Sequence, residues 1–199
     1  MSFTPIKTPW IAKKLFPNYI WDISTTEKVI YLTFDDGPTT EITEWTLKQL
    51  KKYTNSPVTY CENYIYWTNK LKDVAKAVDI ISVHSYPVWV GTPIKEAVQT
   101  CIDEYQMITK MYPKKPVIIT ETGWPTRSNG QGIPKDFANQ ANQLYYYDQI
   151  QKWSEDKQVT CFFFEAFDEF WKGSERIDEP EKHWGYYYDN RTPKRIKTK

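Results

Sequence analysis

The chain has 199 residues, which is enough for one domain of ordinary size with its own hydrophobic core. Its 26 Lys and Arg residues balance 25 Asp and Glu residues, so the composition excludes a global electrostatic attraction to nucleic acid or to an anionic membrane. The three cysteines are far apart and lie in apolar segments, which predicts small buried side chains. Residues 1–20 contain lysines and prolines but no continuous apolar run. We therefore expect neither a signal peptide nor a membrane span there, and a soluble chain that stays in the cytoplasm where it is expressed.

Apolar and β-branched runs alternate with helical patterns along the chain. Five runs predict strands, at residues 29–34, 58–61, 80–83, 117–120 and 159–164. Apolar residues at helical spacing predict helices at about 41–53, 94–108 and 136–155. The basic end of the chain, residues 194–199, is expected to be frayed. Strict alternation favours an α/β fold, a partial TIM-type (β/α) barrel of about five parallel strands whose edges are closed by self-association.

Acidic and aromatic residues gather at the predicted carboxyl ends of these strands, which share one edge of a parallel sheet. They are Asp35, Asp36, Glu62, His84, Glu121, Glu165, Asp168 and Glu169, together with Trp67, Tyr86, Trp89, Trp124 and Trp171. Carboxylates beside indole rings are typical of glycosidases, because paired acids protonate the leaving oxygen and attack the anomeric carbon while the rings stack on sugars. The alternative interpretation is structural, with the acids pairing with lysines and capping helices.

Most of the chain resembles a known family of enzymes. The segments that carry the resemblance are PVTYCE at 57–62, VDIISVHSYP at 78–87, ITETGWP at 119–125, FEAFDE at 164–169, WK at 171–172 and HWG at 183–185. In order and spacing they resemble the C-terminal half, strands five to eight, of a β-1,3-glucanase of glycoside hydrolase family 17. The resemblance implies a retaining (β/α)8-barrel hydrolase in which Glu121 is the nucleophile. It also implies that Glu165, Asp168, Trp171 and Lys172 line the sugar subsites.

The start of the chain resembles a different family. The segment VIYLTFDDGP at 29–38 is similar to the first motif of a polysaccharide deacetylase of the NodB-homology type. That resemblance implies a general base at Asp35 and a metal ligand at Asp36. We therefore predict a chimera, natural or engineered, in which residues 1–54 are deacetylase-like, residues 55–199 are a glucanase-like half barrel, and both form one folded domain.

Each family's set of functional residues is incomplete in this chain. The deacetylase site implies two more histidines on one segment, whereas the two histidines of the chain, His84 and His183, are 99 positions apart. We therefore expect no metal site and no cofactor. The glucanase family implies a general acid within an Asn-Glu pair, and no such pair occurs in the sequence. Glu62 is then the first candidate partner for Glu121, and Asp35 or an acid of a second copy of the chain are the alternatives.

Three functional hypotheses follow from this sequence. The first is a chimera with an incomplete β-1,3-glucanase site and little or no catalysis. The second is a weak retaining β-1,3-glucan hydrolase with Glu121 and Glu62 as catalytic residues. The third is a non-catalytic β-glucan-binding module that uses Trp67, Trp89, Trp124 and Trp171. In all three, His84 and Tyr86 are further candidate substrate-binding residues. In each case the expected partners are a β-glucan or oligosaccharide and a second copy of the chain. The enzymes that this chain resembles can be exported from the cell.

Overall fold

The computed structural model describes residues 10, 14, 41–53 and 55–194. The chain divides into two compact units, Met1–Thr39 and Thr40–Lys199. In the first unit the described residues, Trp10 and Lys14, are helical and exposed. The predicted strand at 29–34 and the aspartates after it, Asp35 and Asp36, lie outside the described residues. The fold given below is therefore that of the second unit.

The second unit alternates strands and helices in the predicted order. Its elements are α1 (Ile42–Tyr53), β1 (Thr59–Asn63), α2 (Tyr64–Asn69), α3 (Lys72–Ala77), β2 (Ile80–Ser85), α4 (Ile94–Met111), β3 (Val117–Thr122), α5 (Gln140–Lys157) and β4 (Cys161–Phe163), with short 3-10 turns at Pro87–Val90 and Pro180–Lys182. The four strands form one parallel sheet in the order β1-β2-β3-β4. A parallel sheet with helical crossovers is an α/β fold, and four such strands make part of a TIM-type barrel. The predicted α/β class is confirmed with four described strands, and closure of the edges by self-association stays a prediction.

The helices pack on the sheet through apolar residues at matching spacing. On α4, Ala97, Cys101 and Ile108 are fully buried and lie on one face of the helix. On the strands, Val83 and Ile119 are fully buried. Because neighbouring strand residues point to opposite faces, every second one meets the helices and the others face away from them.

The observed bounds agree with the predicted ones to within a few residues. The largest difference is at α5, which begins at Gln140 rather than near residue 136. Asn139 caps this helix, because its side-chain oxygen accepts a hydrogen bond from Asn142 N at 2.9 Å. No helix in the described part of the chain is long and apolar enough to cross a membrane.

The prediction that all three cysteines are buried is wrong for one of them. Cys101 is fully buried and Cys161 is half-buried, but Cys61 is exposed. Its neighbour Tyr60 packs edge-on against Trp67, with ring centroids 6.0 Å apart. Alternation along β1 therefore turns Cys61 away from the helices.

Lys194, the first residue of the segment expected to be frayed, is held in place, and residues 195–199 lie outside the described residues. The Lys194 side chain is 1% exposed, and its ammonium lies 2.6 Å from Asp168 Oδ1. It also donates to Thr126 Oγ1 at 2.7 Å. Tyr187, which lies between Asp168 and Lys194 in the sequence, forms isolated β-bridges with Phe167 and with Pro193. The segment after β4 is thus fastened to the loops at the carboxyl end of the sheet.

Candidate active site

β2 and β3 place His84 and Glu121 side by side at the carboxyl end of the sheet. The two residues are partners in the parallel pairing. The register of the sheet shifts at this point. The pairing of β2 with β3 shifts between Val83 and His84, and the pairing of β3 with β4 shifts between Ile119 and Thr122. Irregularities of this kind re-aim side chains at the end of a strand. The Glu121 side chain keeps 36% of its surface exposed, so a substrate can reach it.

One oxygen of Glu121 has two polar neighbours. The Tyr86 hydroxyl donates a hydrogen bond to Oε2 at 2.8 Å, and His84 Nδ1 lies 3.4 Å from the same oxygen. Burial, reinforced by the Glu121 carboxylate, raises the pKa of Tyr86 well above its ordinary value, so the phenol remains a donor. Burial also lowers the pKa of His84, and this outweighs the opposite effect of the Glu121 and Glu62 carboxylates. Glu121 is therefore oriented by a hydroxyl donor and lies beside a neutral imidazole at neutral pH.

Two aromatic rings pack against Tyr86, the residue that donates to Glu121. The ring centroid of Tyr86 lies 5.3 Å from that of Trp184 and 6.2 Å from that of Phe164, both in edge-on contact. Trp184 and Phe164 also touch each other, with centroids 6.0 Å apart. Gly123 allows this close approach, because a Cβ at that position would lie 2.2 Å from the Phe164 carbonyl oxygen. Trp184 was not singled out from the sequence, although it belongs to the HWG segment that carried the family resemblance.

Lys172 joins two acids at the end of β4. Its ammonium lies 2.7 Å from Glu165 Oε2 and 2.5 Å from Glu169 Oε2. It also lies 4.4 Å from the centroid of the Phe164 ring. Burial raises the pKa of Glu165 to about 7, against the opposing effect of Lys172. Glu165 Oε1 is buried and has no hydrogen-bond partner among the described residues. The cluster therefore presents the Lys172 ammonium and the Glu165 and Glu169 carboxylates to a polar ligand, and Glu165 Oε1 is the acceptor that lacks a partner.

Glu181 is a further acid near this edge that sequence reasoning missed. Burial raises its pKa, Lys172 opposes the rise, and Glu179 and Glu121 add to it. Its carboxylate also contributes to the raised pKa of Tyr86. Glu181 is thus within electrostatic reach of Glu121. It lies in the 3-10 turn of an irregular segment, where no strand or helix pattern points to it.

Two of the predicted sugar-stacking tryptophans belong to the core instead. Trp67 and Trp124 are fully buried. The indole N–H of Trp67 donates to Ser82 O at 3.0 Å, and that of Trp124 donates to Phe137 O at 2.8 Å. Each ring is enclosed and each N–H is satisfied, so neither ring offers a face to a sugar. The assignment of Trp67 and Trp124 to substrate binding is corrected accordingly.

Asp168 is also structural rather than a sugar contact. Its side chain is 3% exposed and pairs with Lys194. Its Oδ1 accepts a hydrogen bond from Gly185 N at 3.0 Å, and Oδ2 lies 3.7 Å from His183 Nδ1. The carboxylate is thus enclosed by Lys194, Gly185 and His183. Asp168 therefore fastens the segment that contains Lys194, and its assignment to the sugar subsites is corrected.

The other predicted aromatic contacts remain accessible. Trp89 is 37% exposed and Trp171 is 77% exposed, so both can stack on a sugar ring. Trp89 is fixed at its base by Trp184, with ring centroids 6.1 Å apart. Its ring also lies over Gly132, where an added Cβ would approach within 2.7 Å.

Glu62 lies at the end of β1 and is half-buried. Its Oε1 accepts a hydrogen bond from Asn63 N at 2.7 Å. Its effect on the pKa of His84 puts it within electrostatic reach of the imidazole beside Glu121. Across residues 41–53 and 55–194, no group of three His, Cys, Asp or Glu side chains is arranged to hold a metal ion.

Two curated fungal proteins are similar to this chain. A glucan 1,3-beta-glucosidase of Arthroderma benhamiae is 32% identical over 132 residues, which are 59% of this chain and 41% of that protein. A glucan 1,3-beta-glucosidase of Schizosaccharomyces pombe is 30% identical over 155 residues, which are 74% of this chain and 47% of that protein. The chain thus spans less than half the length of these relatives.

Solved structures of glucan-active enzymes share the fold. The glycoside hydrolase family 17 beta-1,3-glucanosyltransferase from Rhizomucor miehei is 25% identical with a TM-score of 0.63, over 76% of this chain and 53% of that one. An active-site mutant of that enzyme in complex with laminaritriose is 25% identical with a TM-score of 0.65, over 74% of this chain and 53% of that one. An endo-laminarinase from Formosa, 24% identical with a TM-score of 0.59, has the same fold over 72% of this chain and 47% of its own.

The BtgE/BtgC glycoside hydrolase domain model matches residues 39–185. The match contains the four strands and Glu121. It begins ahead of the predicted boundary at residue 55, so α1 lies inside the glycoside hydrolase region. The assignment of the residues before it to a deacetylase-like part stays a prediction. Because the match covers most of the chain and includes every described element at the candidate site, the chain belongs to the BtgE/BtgC glycoside hydrolase domain family.

Proposed function

We propose that this chain carries the nucleophile side of a retaining β-1,3-glucan site, with Glu121 as the nucleophile. The observation that carries the proposal is the position of Glu121 at the end of a parallel strand, where Tyr86 donates to one oxygen and a neutral His84 lies beside it. Relatives supply the substrate class. Two are named glucan 1,3-beta-glucosidases, and a matched glucanosyltransferase was solved with laminaritriose.

The proposed chemical step is a displacement at the anomeric carbon. A Glu121 oxygen forms a bond to C1 of the sugar while the bond from C1 to the leaving oxygen breaks, and the leaving oxygen keeps the electron pair. The product is a glycosyl ester of Glu121, which water or another sugar hydroxyl then opens. The hydrogen bond from Tyr86 holds the carboxylate in one orientation, which reduces the entropy lost on reaching the transition state.

Sugar binding is proposed for the accessible residues around this carboxylate. Trp89 and Trp171 offer exposed indole faces, and Lys172 with Glu165 offers charged partners for sugar hydroxyls. Tyr86 and His84 contact the nucleophile directly and so lie where the sugar that reacts would sit.

Turnover of natural glucan also needs a proton donor, about 5 to 5.5 Å from the nucleophile in a retaining enzyme. Glu62 remains the candidate proton donor within this chain. It lies on β1, and β2 lies between β1 and the Glu121 strand β3. Because Asn63 N already holds one of its oxygens, we propose that Glu62 is a poor donor and that laminarin turnover by the chain is weak or absent.

The nucleophile can be tested without a proton donor. The probe is 2,4-dinitrophenyl 2-deoxy-2-fluoro-β-laminaribioside, whose leaving group departs without protonation and whose fluorine slows opening of the ester. We expect the intact mass to rise by one fluorinated disaccharide, and peptide mapping to locate it on Glu121. Glu121→Gln should not be labelled, whereas Glu155→Gln, an exposed acid on α5, should be labelled like the unaltered chain.

Two outcomes would overturn the proposal. One is labelling that persists in Glu121→Gln, which would place the nucleophile elsewhere. The other is an unlabelled chain that still binds laminari-oligosaccharides, which would leave a binding function. Laminarin hydrolysis by the chain and by Glu121→Gln, measured side by side, separates weak catalysis from none.

A non-catalytic β-glucan-binding module is the second candidate, favoured by the exposed rings of Trp89 and Trp171. In that case laminari-oligosaccharides should change the tryptophan fluorescence, and Trp171→Ala should weaken the change while Glu121→Gln should not. Fluorescence that stays constant throughout the titration would remove this candidate.

A further inference from the structure

A buried carboxyl group lies behind the end of β2, on the helix side of the sheet. It belongs to Glu104 of α4, which is 6% exposed, and its Oε2 accepts a hydrogen bond from the Ser85 hydroxyl at 2.6 Å. The side chain of Tyr64, the first residue of α2, also lies close to this carboxyl group and lowers its pKa. Glu104 therefore links α4 to the last residue of β2 and to the first residue after β1.

Among the described residues, no basic group balances the burial of this carboxyl group. Burial raises the pKa of Glu104, the Ser85 and Tyr64 side chains lower it, and Asp103 adds to the rise. Burying an acid that has no cation beside it costs free energy. An apolar side chain would fill the same space on α4 without that cost. A role in the site next to it would account for an acid at this position.

Ser85, the residue that Glu104 holds, lies between two residues of the site. His84 precedes it, and its Nδ1 lies 3.4 Å from Glu121 Oε2, while the hydroxyl of Tyr86, which follows it, donates to the same oxygen at 2.8 Å. β2 ends at Ser85, so the regular pairing of the sheet does not extend to Tyr86. The hydrogen bond on the helix side thus fixes the backbone from which both site residues project to the other face.

We propose that Glu104 is a positioning residue for Glu121, acting through Ser85 to hold the Tyr86 hydroxyl at the nucleophile. The reaction that it assists rests on the proposed function, whereas the contacts that it controls do not. Glu104 lies on the helix side of the sheet and does not touch the sugar. Its effect is to limit the movement of the end of β2, which keeps the donor and the carboxylate aligned.

The fluorinated laminaribioside probe measures this effect. Two quantities are needed, the rate constant for labelling of Glu121 at saturating probe and the probe concentration that gives half of that rate. Glu104→Leu removes the acceptor and should lower the rate constant by about five- to tenfold with little change in the half-saturating concentration, because alignment matters most in the transition state. Glu104→Gln keeps an acceptor and should stay within about twofold of the unaltered chain. Asp103→Asn, exposed on the same helix, is the matched control and should be labelled at the original rate.

Combination with Tyr86→Phe separates positioning from a general structural role. The hydroxyl is already absent from Tyr86→Phe, so adding Glu104→Leu should slow labelling by less than about twofold more. Ser85→Ala removes the same hydrogen bond from the strand side and should slow labelling as Glu104→Leu does, which provides a second variant if the first does not fold. Multiplicative effects of Glu104→Leu and Tyr86→Phe overturn the proposal, and so does labelling at the original rate in a folded Glu104→Leu.

An NMR titration of His84 tests the positioning role without the probe. A chain that is not labelled would count against the nucleophile, but not against Glu104. Burial lowers the pKa of His84, against the effects of Glu121 and Glu62, so a loosened β2 end in Glu104→Leu or Ser85→Ala should raise it toward the ordinary value of 6.5. Loss of the Glu104 charge alone would lower it. The chain has two histidines, and His84→Gln identifies the resonance. A His84 pKa that does not rise in either variant overturns the proposal.

Discussion

Replacing Lys194 by Met is expected to lower the free energy of unfolding by about 3–5 kcal/mol, because it leaves Asp168 as a buried carboxylate without its ion partner. The two side chains are 1% and 3% exposed, and their charged atoms are 2.6 Å apart. Burial lowers the pKa of Lys194, while Asp168 acts to raise it, as expected of an ammonium enclosed with its partner. The remaining neighbours of Asp168, Gly185 N at 3.0 Å and His183 Nδ1 at 3.7 Å, do not replace a full charge.

Urea unfolding followed by tryptophan fluorescence measures this loss. Asp168→Asn keeps an acceptor for Gly185 N, so the double variant with Lys194→Met removes both charges and leaves that hydrogen bond. The double variant should therefore be more stable than the sum of the single losses predicts, by about 1–3 kcal/mol. Lys152→Met is the control, since its exposed pair with Asp156 should leave the urea midpoint nearly unchanged. Equal midpoints for Lys194→Met and Lys152→Met would refute the reasoning.

Three further predictions concern the surroundings of Glu121. Tyr86→Phe should slow labelling of Glu121 by the fluorinated probe about tenfold, because the carboxylate loses a charge-assisted hydrogen bond of 2.8 Å. Burial raises the pKa of Glu165 from 4.5 to about 7, so its ionisation opposes folding, and the free energy of unfolding should fall as the pH rises through that range. Glu165→Gln should remove this component from the pH dependence of the urea midpoint. Gly123→Ala should destabilise the chain by about 1–3 kcal/mol, because its Cβ would lie 2.2 Å from the Phe164 carbonyl oxygen.

Each of these predictions has an outcome that contradicts it. Labelling at the original rate in Tyr86→Phe, with Tyr145→Phe as control, would show that the hydroxyl does not orient the nucleophile. Identical pH profiles of the midpoint with and without the Glu165 carboxyl would show that its burial does not oppose ionisation. An unchanged midpoint in Gly123→Ala would mean that the ends of β3 and β4 can move apart at no cost.

The order of elements and the position of Glu121 could be predicted because they depend on local sequence. The run at 117–120 is apolar and β-branched, and the acid after it comes at the carboxyl end of a strand wherever that strand lies in a parallel sheet. His84 and Tyr86 follow a second such run and meet Glu121 because β2 and β3 are neighbours. For these residues, strand assignment alone is enough to bring the side chains together.

Residue type alone did not show which side chains point into the core. Trp67 and Trp124 follow predicted strands as Trp89 does, but a tertiary contact decides whether the ring is enclosed. The partner of Asp168 is Lys194, 26 positions away in a segment without a periodic pattern. No spacing rule connects such a pair, and it forms only when the end of the chain folds back across the loops.

A residue between two of the site residues fastens β2 to a helix. Ser85 lies between His84 and Tyr86, and its hydroxyl donates to Glu104 Oε2 on α4 at 2.6 Å. Both residues are buried. The two side chains beside Glu121 are therefore held from behind by a hydrogen bond within the core, on the helix side of the sheet.

β3 is held in the same way, through the residue that follows Glu121. Thr122 follows Glu121, and its hydroxyl lies 2.7 Å from that of Tyr146 on α5. Both contacts are on the helix side of the sheet. Because neighbouring strand residues point to opposite faces, His84 and Glu121 point to the other face, where the Glu121 carboxylate keeps 36% of its surface exposed to a substrate.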